Sequence, residues 1–573
     1  MKNTTLFLSL LLGFVWVWPA SGETRAVMDF NALVDRYFDF YFSFHPTDAT
    51  AAGFHQYDQK LEDYSASAQE QQIRGLKDFL RRFEAVDGGT LPAKTAADRD
   101  WIMSSIHSEL LELEYIQMWK KDPDHYSGAL TNSIFVIMKR NYAPPEERLR
   151  SAIERERQIP KALEYARQNL QNPPKIYTEI ALEQLPDETD FFRKDVPEAF
   201  SAVKDPKLLA EFKASTQDVI GAFKSYQKYL NDSVLPHADG DFRLGAENYR
   251  NKLLYDEMVD IPLDRLLAIG YDDLHRNQAA LKKVAAEINP NRTVQQVVAE
   301  LQNQHPAPDQ LLQAFRDTFS GLTHFIEEKK IVKIPAGQPP ILEPTPPFER
   351  ATTEASMDTP GPYETRDRKA FFNVTTPDPK WPPDRIEEWM KTFNNSMIPG
   401  TAIHEVYPGH FVQFLWIDKN PSKIRKLIFS GTNAEGWAHY CEQMMLDEGY
   451  GNGDPTLRLG QLEDALLRDA RYIVGIQMHT GKMTPDQARK FFVEEGYQTA
   501  AVADVETKRG TADPTYLMYT LGKLQILKLR EDYRKMRGSD FSLMEFHDRL
   551  MEQGGVPLKI IRKAMLGNDS PTL

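Results

Sequence analysis

Thr401-Ala402-Ile403-His404-Glu405-Val406-Tyr407-Pro408-Gly409-His410 is the stretch on which the reading of this chain turns. His404-Glu405 begins like H-E-x-x-H, in which two histidines on one helix hold zinc and the glutamate acts as general base. The second histidine is displaced: Pro408 stands at i+4, and His410 follows at i+6. On a straight helix i and i+4 lie about 40° apart. Residues i and i+6 lie about 240° apart and roughly 9 Å along the axis. Two imidazoles that must each come within about 2.0–2.1 Å of one zinc cannot both do so from a regular helix. Proline withholds the N–H that would bond the His404 carbonyl, and glycine permits unusual dihedrals. The spacing therefore predicts one helix over about Thr401 to Ile417, with a two-residue bulge at Pro408-Gly409 that realigns His410 with His404. The plainer alternative is three ordinary polar residues beside a kink.

Twenty-five residues after His410 comes Glu435, within Gly431-Thr432-Asn433-Ala434-Glu435-Gly436-Trp437-Ala438-His439-Tyr440. A carboxylate on a following helix is the third ligand expected where two histidines hold a catalytic zinc. Thr432-x-x-Glu435 is also a capping box, so ligation and capping compete for one side chain. His439 shares the Glu435 face, either supporting a ligand from behind or sitting in the core.

His-Glu-x-Tyr-Pro-Gly-His followed by Glu-Gly-Trp-Ala resembles the motifs of a large bacterial family of mostly exported proteins. That family is catalogued as a domain of unknown function, number 885, and is distantly similar to gluzincin peptidases such as thimet oligopeptidase and angiotensin-converting enzyme. The resemblance runs over nearly the whole chain beyond its first residues. It implies a mostly α, large multi-helix, gluzincin-like catalytic fold with zinc as cofactor, and it supplies no substrate. The family pattern also places a late tyrosine before Gly-x, which makes Tyr519 the first choice for an oxyanion donor. His479 is the second, and for either the alternative is a satisfied core residue. The family's Asp-Thr-Gly-Leu-His is here Gly475-Ile476-Gln477-Met478-His479, which keeps only the histidine.

Outward from the motif, residues 1–22 read as a cleaved export signal. Lys2 is followed by an apolar run from Leu6 to Trp18, and then by Ala20-Ser21-Gly22. The run is too short for a comfortable membrane span and contains no cysteine, so the expectation is a periplasmic or secreted protein without a lipid anchor. A net charge of −14 with acids and bases interspersed argues against nucleic acid or an anionic membrane as partner. Cys441, the only cysteine, reads as a buried thiol.

Residues 23–330 read as a helical region. Phe30, Leu33, Val34, Tyr37, Phe38, Tyr41 and Phe42 recur at helical spacing until His45-Pro46. Similar patterns predict helices over Asp98 to Trp119, Pro145 to Leu170, Pro206 to Leu230, Leu263 to Ile288 and Asp309 to Lys330. Residues 331–573 carry the metal motifs and read as one fold with what precedes. Twelve prolines between Pro335 and Pro383 rule out helix there, while Lys329 to Ile334 and Lys369 to Val374 are β-prone. A small sheet beside the metal helix is expected.

The constellation points to hydrolysis of peptide bonds in small peptides, with Glu405 as general base to a zinc-activated water. Arg471, Arg509 and Lys523 are candidates to receive a substrate carboxylate, against the plainer reading of each as a solvated surface cation. Two alternatives stand beside this reading: a zinc hydrolase of another amide or ester, and an inactive helical binding protein that kept the metal. Oligomeric state is not encoded in any pattern of the sequence.

Overall fold

The computed structural model describes residues 24–346, 350 and 353–573. The expected export segment 1–22 lies outside the described residues. The first element shows why the chain is helical: Phe30, Leu33, Val34, Tyr37, Phe38 and Phe42 make one buried face of helix Arg25–Phe44, and the Val27 N–H donates to the Thr24 hydroxyl that caps it. Long amphipathic helices then follow one another, because each has an apolar stripe that only a neighbouring helix can cover. The predicted Pro206 and Leu263 helices are found at Pro206–Tyr229 and Leu263–Ile288. The predicted Pro145 to Leu170 helix is two, Pro145–Glu156 and Ile159–Asn169. Pro160 causes the break, since it has no N–H for the Glu156 carbonyl. The predicted Asp98 to Trp119 helix ends at Leu111 and continues as a wider π turn over Glu112–Ile116.

One apolar core takes residues from both ends of the chain, from Val27 through Met390 and Trp437 to Met565. A second core lies within the N-terminal helices, and a third joins Leu266 and Leu274 to Leu466, Ile473 and Leu521.

A small open sheet interrupts the helices where prolines crowd the sequence. Its strands are β1 (Ile341–Pro344), β2 (Ala355–Asp358) and β3 (Phe371–Val374), in the order β1-β3-β2. Central β3 runs parallel to β1, with Ile341 opposite Phe371, and antiparallel to β2, with Ala355 opposite Val374. The β-prone stretch Lys329 to Ile334 forms no strand. Its backbone groups are spent elsewhere: the Ile331 carbonyl accepts from His547 Nδ1, the Lys333 N–H donates to Asp548, and the Lys333 carbonyl accepts from Trp416. All four residues of β3 are buried, and Phe372 meets Phe315 of helix Leu311–Glu328 edge-on at 5.3 Å. Phe319 of the same helix touches both Phe372 and Tyr407, so the sheet is buttressed against the chain that carries His404 and His410.

The elements around that point are α1 (Leu263–Ile288), α2 (Ile398–Glu405), α3 (His410–Asp418), α4 (Gly431–Asp447), α5 (Pro455–His479), α6 (Ala500–Ala512) and α7 (Met518–Arg537). Helices α4 and α7 cross at a pair of glycines. A Cβ on Gly522 would stand 2.0 Å from the Thr432 carbonyl oxygen and 2.7 Å from Gly436 Cα. Only glycine allows this approach, and the approach brings Tyr519 of α7 over the histidine of α2. Gly522→Ala is expected to lower thermal stability by roughly 3 kcal/mol, the upper end for overpacking, because backbone and not a flexible side chain must yield. An unchanged melting temperature would refute this account of the crossing.

Candidate metal centre

His404 lies in the last turn of α2 and His410 opens α3, so the two histidines stand on separate helices. This corrects the single bulged helix that the spacing predicts. Proline at 408 has no N–H to continue the ladder, the Tyr407 N–H turns back to the Ala402 carbonyl, and the Gly409 N–H bonds the Ile403 carbonyl. The Tyr407–Pro408 peptide is cis. A Cβ at position 409 would lie 1.7 Å from the His404 carbonyl oxygen, so the turn needs glycine. Trp437 of α4 donates its indole N–H to the Pro408 carbonyl at 2.9 Å and fixes the turn from outside. The two imidazoles end 4.9 Å apart, edge to face.

Glu435 reaches the same point from α4. Capping does not compete for it: Ser430 is the N-cap and accepts from the Asn433 N–H. Thr432, the cap expected from sequence, instead donates its hydroxyl to Glu257 at 2.6 Å. That buried glutamate accepts from the start of α4 four times, through the Ser430 and Thr432 hydroxyls and the Gly431 and Thr432 N–H groups. A carboxylate there suits the positive end of the helix.

His404 Nε2 and His410 Nε2 stand 3.4 and 3.3 Å from Glu435 Oε2, and one ligand atom from each of the three residues lies within 4.8 Å of the others. Two ligands each about 2.0–2.1 Å from one zinc stand about 3.3 Å apart at a tetrahedral angle, so the spacing fits a single ion. Glu435 Oε2 is buried with no hydrogen-bond partner, as an atom reserved for a cation would be. The donor set of two imidazoles and one carboxylate suits zinc and leaves a coordination position for water.

Glu442, which sequence reasoning missed, organises the far side of this centre. His404 Nδ1–H donates to its Oε1 at 2.6 Å, and His439 Nδ1–H donates to its Oε2 at 2.9 Å. This bond commits Nδ1 of His404 and leaves Nε2 for the metal. Glu435, His439 and Glu442 share one face of α4 at i, i+4 and i+7, and that spacing was the available signal. His439 therefore braces Glu442. Arg468 of α5, also missed, lies 3.5 Å from Glu442 and 2.8 Å from Asp464. Burial alone would raise the Glu442 carboxyl, but Arg468, His439 and His404 hold it well below the ordinary range. Burial pulls the His404 imidazole down, yet the Glu435 and Glu442 carboxylates outweigh it and push it up to about 10. Glu442→Gln is expected to weaken zinc binding about 10- to 100-fold, the usual cost of losing a carboxylate behind a histidine ligand. Competition with a chelating dye measures it, and undiminished affinity would sink the assignment.

Glu405 is buried beside His404, and among the described residues no hydrogen bond holds its carboxylate. Burial pushes its carboxyl up while the two imidazoles pull it partway back. Tyr519 lies over His404 with ring centroids 6.3 Å apart. Burial and Glu435 raise its phenol, against Arg509 and Arg471, so it stays a neutral donor.

The remaining sequence candidates are placed differently. His479 is fully buried at the end of α5, its Nε2 on the Gly510 carbonyl and its ring stacked on Tyr249, so it is a core histidine and not a group at this centre. Lys523 is not available to a substrate, because its ammonium is buried 3.0 Å from Asp273 of α1. Arg471 is committed through two bonds, of 2.6 and 2.8 Å, to Glu506 of α6, although its guanidinium covers the Tyr519 ring. The pairings are long-range, which is why single-residue inspection misassigned these two cations.

Residues 46–565 match the family model described as bacterial protein of unknown function (DUF885). No curated protein matches the chain. A solved structure from Shewanella oneidensis, described as a candidate lipoprotein of unknown function, is 26% identical over 95% of this chain and 100% of its own, with a TM-score of 0.79. Another, described as a candidate lipoprotein from Colwellia psychrerythraea, has a TM-score of 0.80 at 18% identity, covering 95% of this chain and 99% of its own, and so shares the fold.

Proposed function

Because this chain belongs to the bacterial family of unknown function DUF885, whose name supplies no chemistry, we propose a function from the site: a zinc-dependent hydrolase of amide bonds in small peptides. The observation that carries this reading is the meeting of His404, His410 and Glu435 beside a glutamate that ligates nothing. A metal kept only for stability has no use for Glu405. His404, His410 and Glu435 would hold the ion. A bound zinc supplies Lewis acidity that lowers the pKa of water towards about 7. Glu405 takes the proton from the attacking water and returns it to the leaving nitrogen. Tyr519 donates its phenolic hydrogen to the oxygen that gathers negative charge. The likeness to gluzincin peptidases is part of this proposal and rests on the motif. An ester or a non-peptide amide would be cleaved by the same groups.

A second reading, a helical binding protein that keeps the metal without turnover, is favoured by the two solved relatives, whose descriptions name lipoproteins and no activity. The two separate cleanly. Zinc-loaded protein incubated with a mixture of short peptides should generate new amino termini, detected by mass spectrometry, and a chelator should abolish them. Intact peptides at full zinc occupancy would favour the binding protein.

We place the protein outside the cytoplasm, on the strength of residues 1–22. No helix of the described residues is long and apolar enough to cross a membrane. Sequencing the protein recovered from cells should find an amino terminus near Glu23, and an intact Met1 would refute this location.

A further inference from the structure

Three arginines gather around the Tyr519 phenol, and they differ in how much of their charge is already spent. Arg468 is held by Asp464 and Glu442. Arg471 forms a two-pronged pair with Glu506. Among the described residues Arg509 of α6 has only long contacts: its Nη2 lies 3.4 Å from Asp513 Oδ2 and 3.4 Å from Tyr519 Oη. Its side chain is 35% exposed, so its fork is open to a ligand while Tyr519 ties it to the metal centre. The flank beside His410 is apolar. Phe414 stacks on the His410 ring at 6.0 Å, and Phe429, 42% exposed, meets Phe414 edge-on at 5.9 Å. The centre therefore has a cationic side beyond His404 and Tyr519, and an aromatic side beyond His410.

We propose that Arg509 receives a free carboxylate of the substrate while Phe414 and Phe429 receive an apolar side chain across the reacting bond. This makes the substrate a short peptide cut close to its carboxyl terminus, an inference that rests on the hydrolase reading above. The chemistry favours a carboxylate for two reasons. A guanidinium offers a planar pair of donors matched to it, and exchanging two long contacts for two short charged ones is a net gain. A main-chain amide at the same place would present one acceptor and no charge, and would gain far less.

Binding tests this without requiring turnover. The zinc-loaded Glu405→Gln chain is titrated calorimetrically with an N-acetylated dipeptide having phenylalanine on its acyl side, as the free acid and as the C-terminal amide. The free acid should bind about 10- to 100-fold tighter, the range for one charge-assisted pair. Arg509→Ala on that background should abolish the difference at unchanged zinc content. Arg509→Lys should restore part of it and guards against a folding defect in the alanine variant. Phe429→Ala should weaken acid and amide alike. Equal binding of the two forms, binding of neither, or a preference that survives Arg509→Ala overturns the proposal. The two readings fail apart: uncleaved peptides with the acid preference intact would refute hydrolysis alone, and cleavage of acid and amide at equal rates would refute the carboxylate site alone.

Discussion

Glu405→Gln is expected to keep its zinc and to lose turnover by about 10²–10⁴-fold, the usual worth of a positioned general base. Glutamine preserves the size of the side chain, so its packing is undisturbed, and it removes the proton acceptor. Because Glu405 stands outside the ligand cluster formed by His404, His410 and Glu435, the metal content should match that of the unaltered protein. The loss should fall on kcat, since a base acts in the transition state and contributes little to ground-state binding. Metal analysis alongside initial rates decides the matter, and full activity in this variant would remove Glu405 from the mechanism.

Glu435→Gln has the opposite signature. It deletes the anionic ligand, so zinc should be lost on dialysis with affinity reduced by more than about 100-fold, beyond the range seen for groups behind a ligand. Activity should return in part when zinc is added in excess. Had Glu435 been the capping-box partner of Thr432, the same change would have cost on the order of 1 kcal/mol of stability and no metal. Ser430 caps the helix instead, which removes that outcome. Full zinc after dialysis of this variant would end the ligand assignment.

What could be read from the sequence was local. The opening helix and the helix over Leu263 to Ile288 follow from periodicity within the segment, and the strand ending at Val374 from its β-prone residues. The convergence of His404, His410 and Glu435 followed from a known ligand chemistry applied to three residue types. The details that escaped depend on distant partners. A bulge and a broken helix serve the same spacing, and the Trp437 indole on the Pro408 carbonyl favours the break from another helix. Glu442 shares a helix face with Glu435, but its role shows in its bond to a histidine thirty-eight residues earlier. Lys523 and Arg471 looked like free cations because Asp273 and Glu506, which neutralise them, lie elsewhere in the chain. Strands β1 and β2 were hidden by their brevity and by surrounding prolines.

The four bonds that Glu257 accepts at the start of α4 bear on how this protein can be cut and recombined. All the proposed ligands lie beyond residue 400, which invites the thought of a portable catalytic half. Such a fragment would begin α4 with two hydroxyls and two amides stripped of their buried acceptor, each costing roughly 1–3 kcal/mol. It would also lack Asp273, the counter-ion of buried Lys523. The long helical stretch ahead of the motifs is thus part of the centre's foundation.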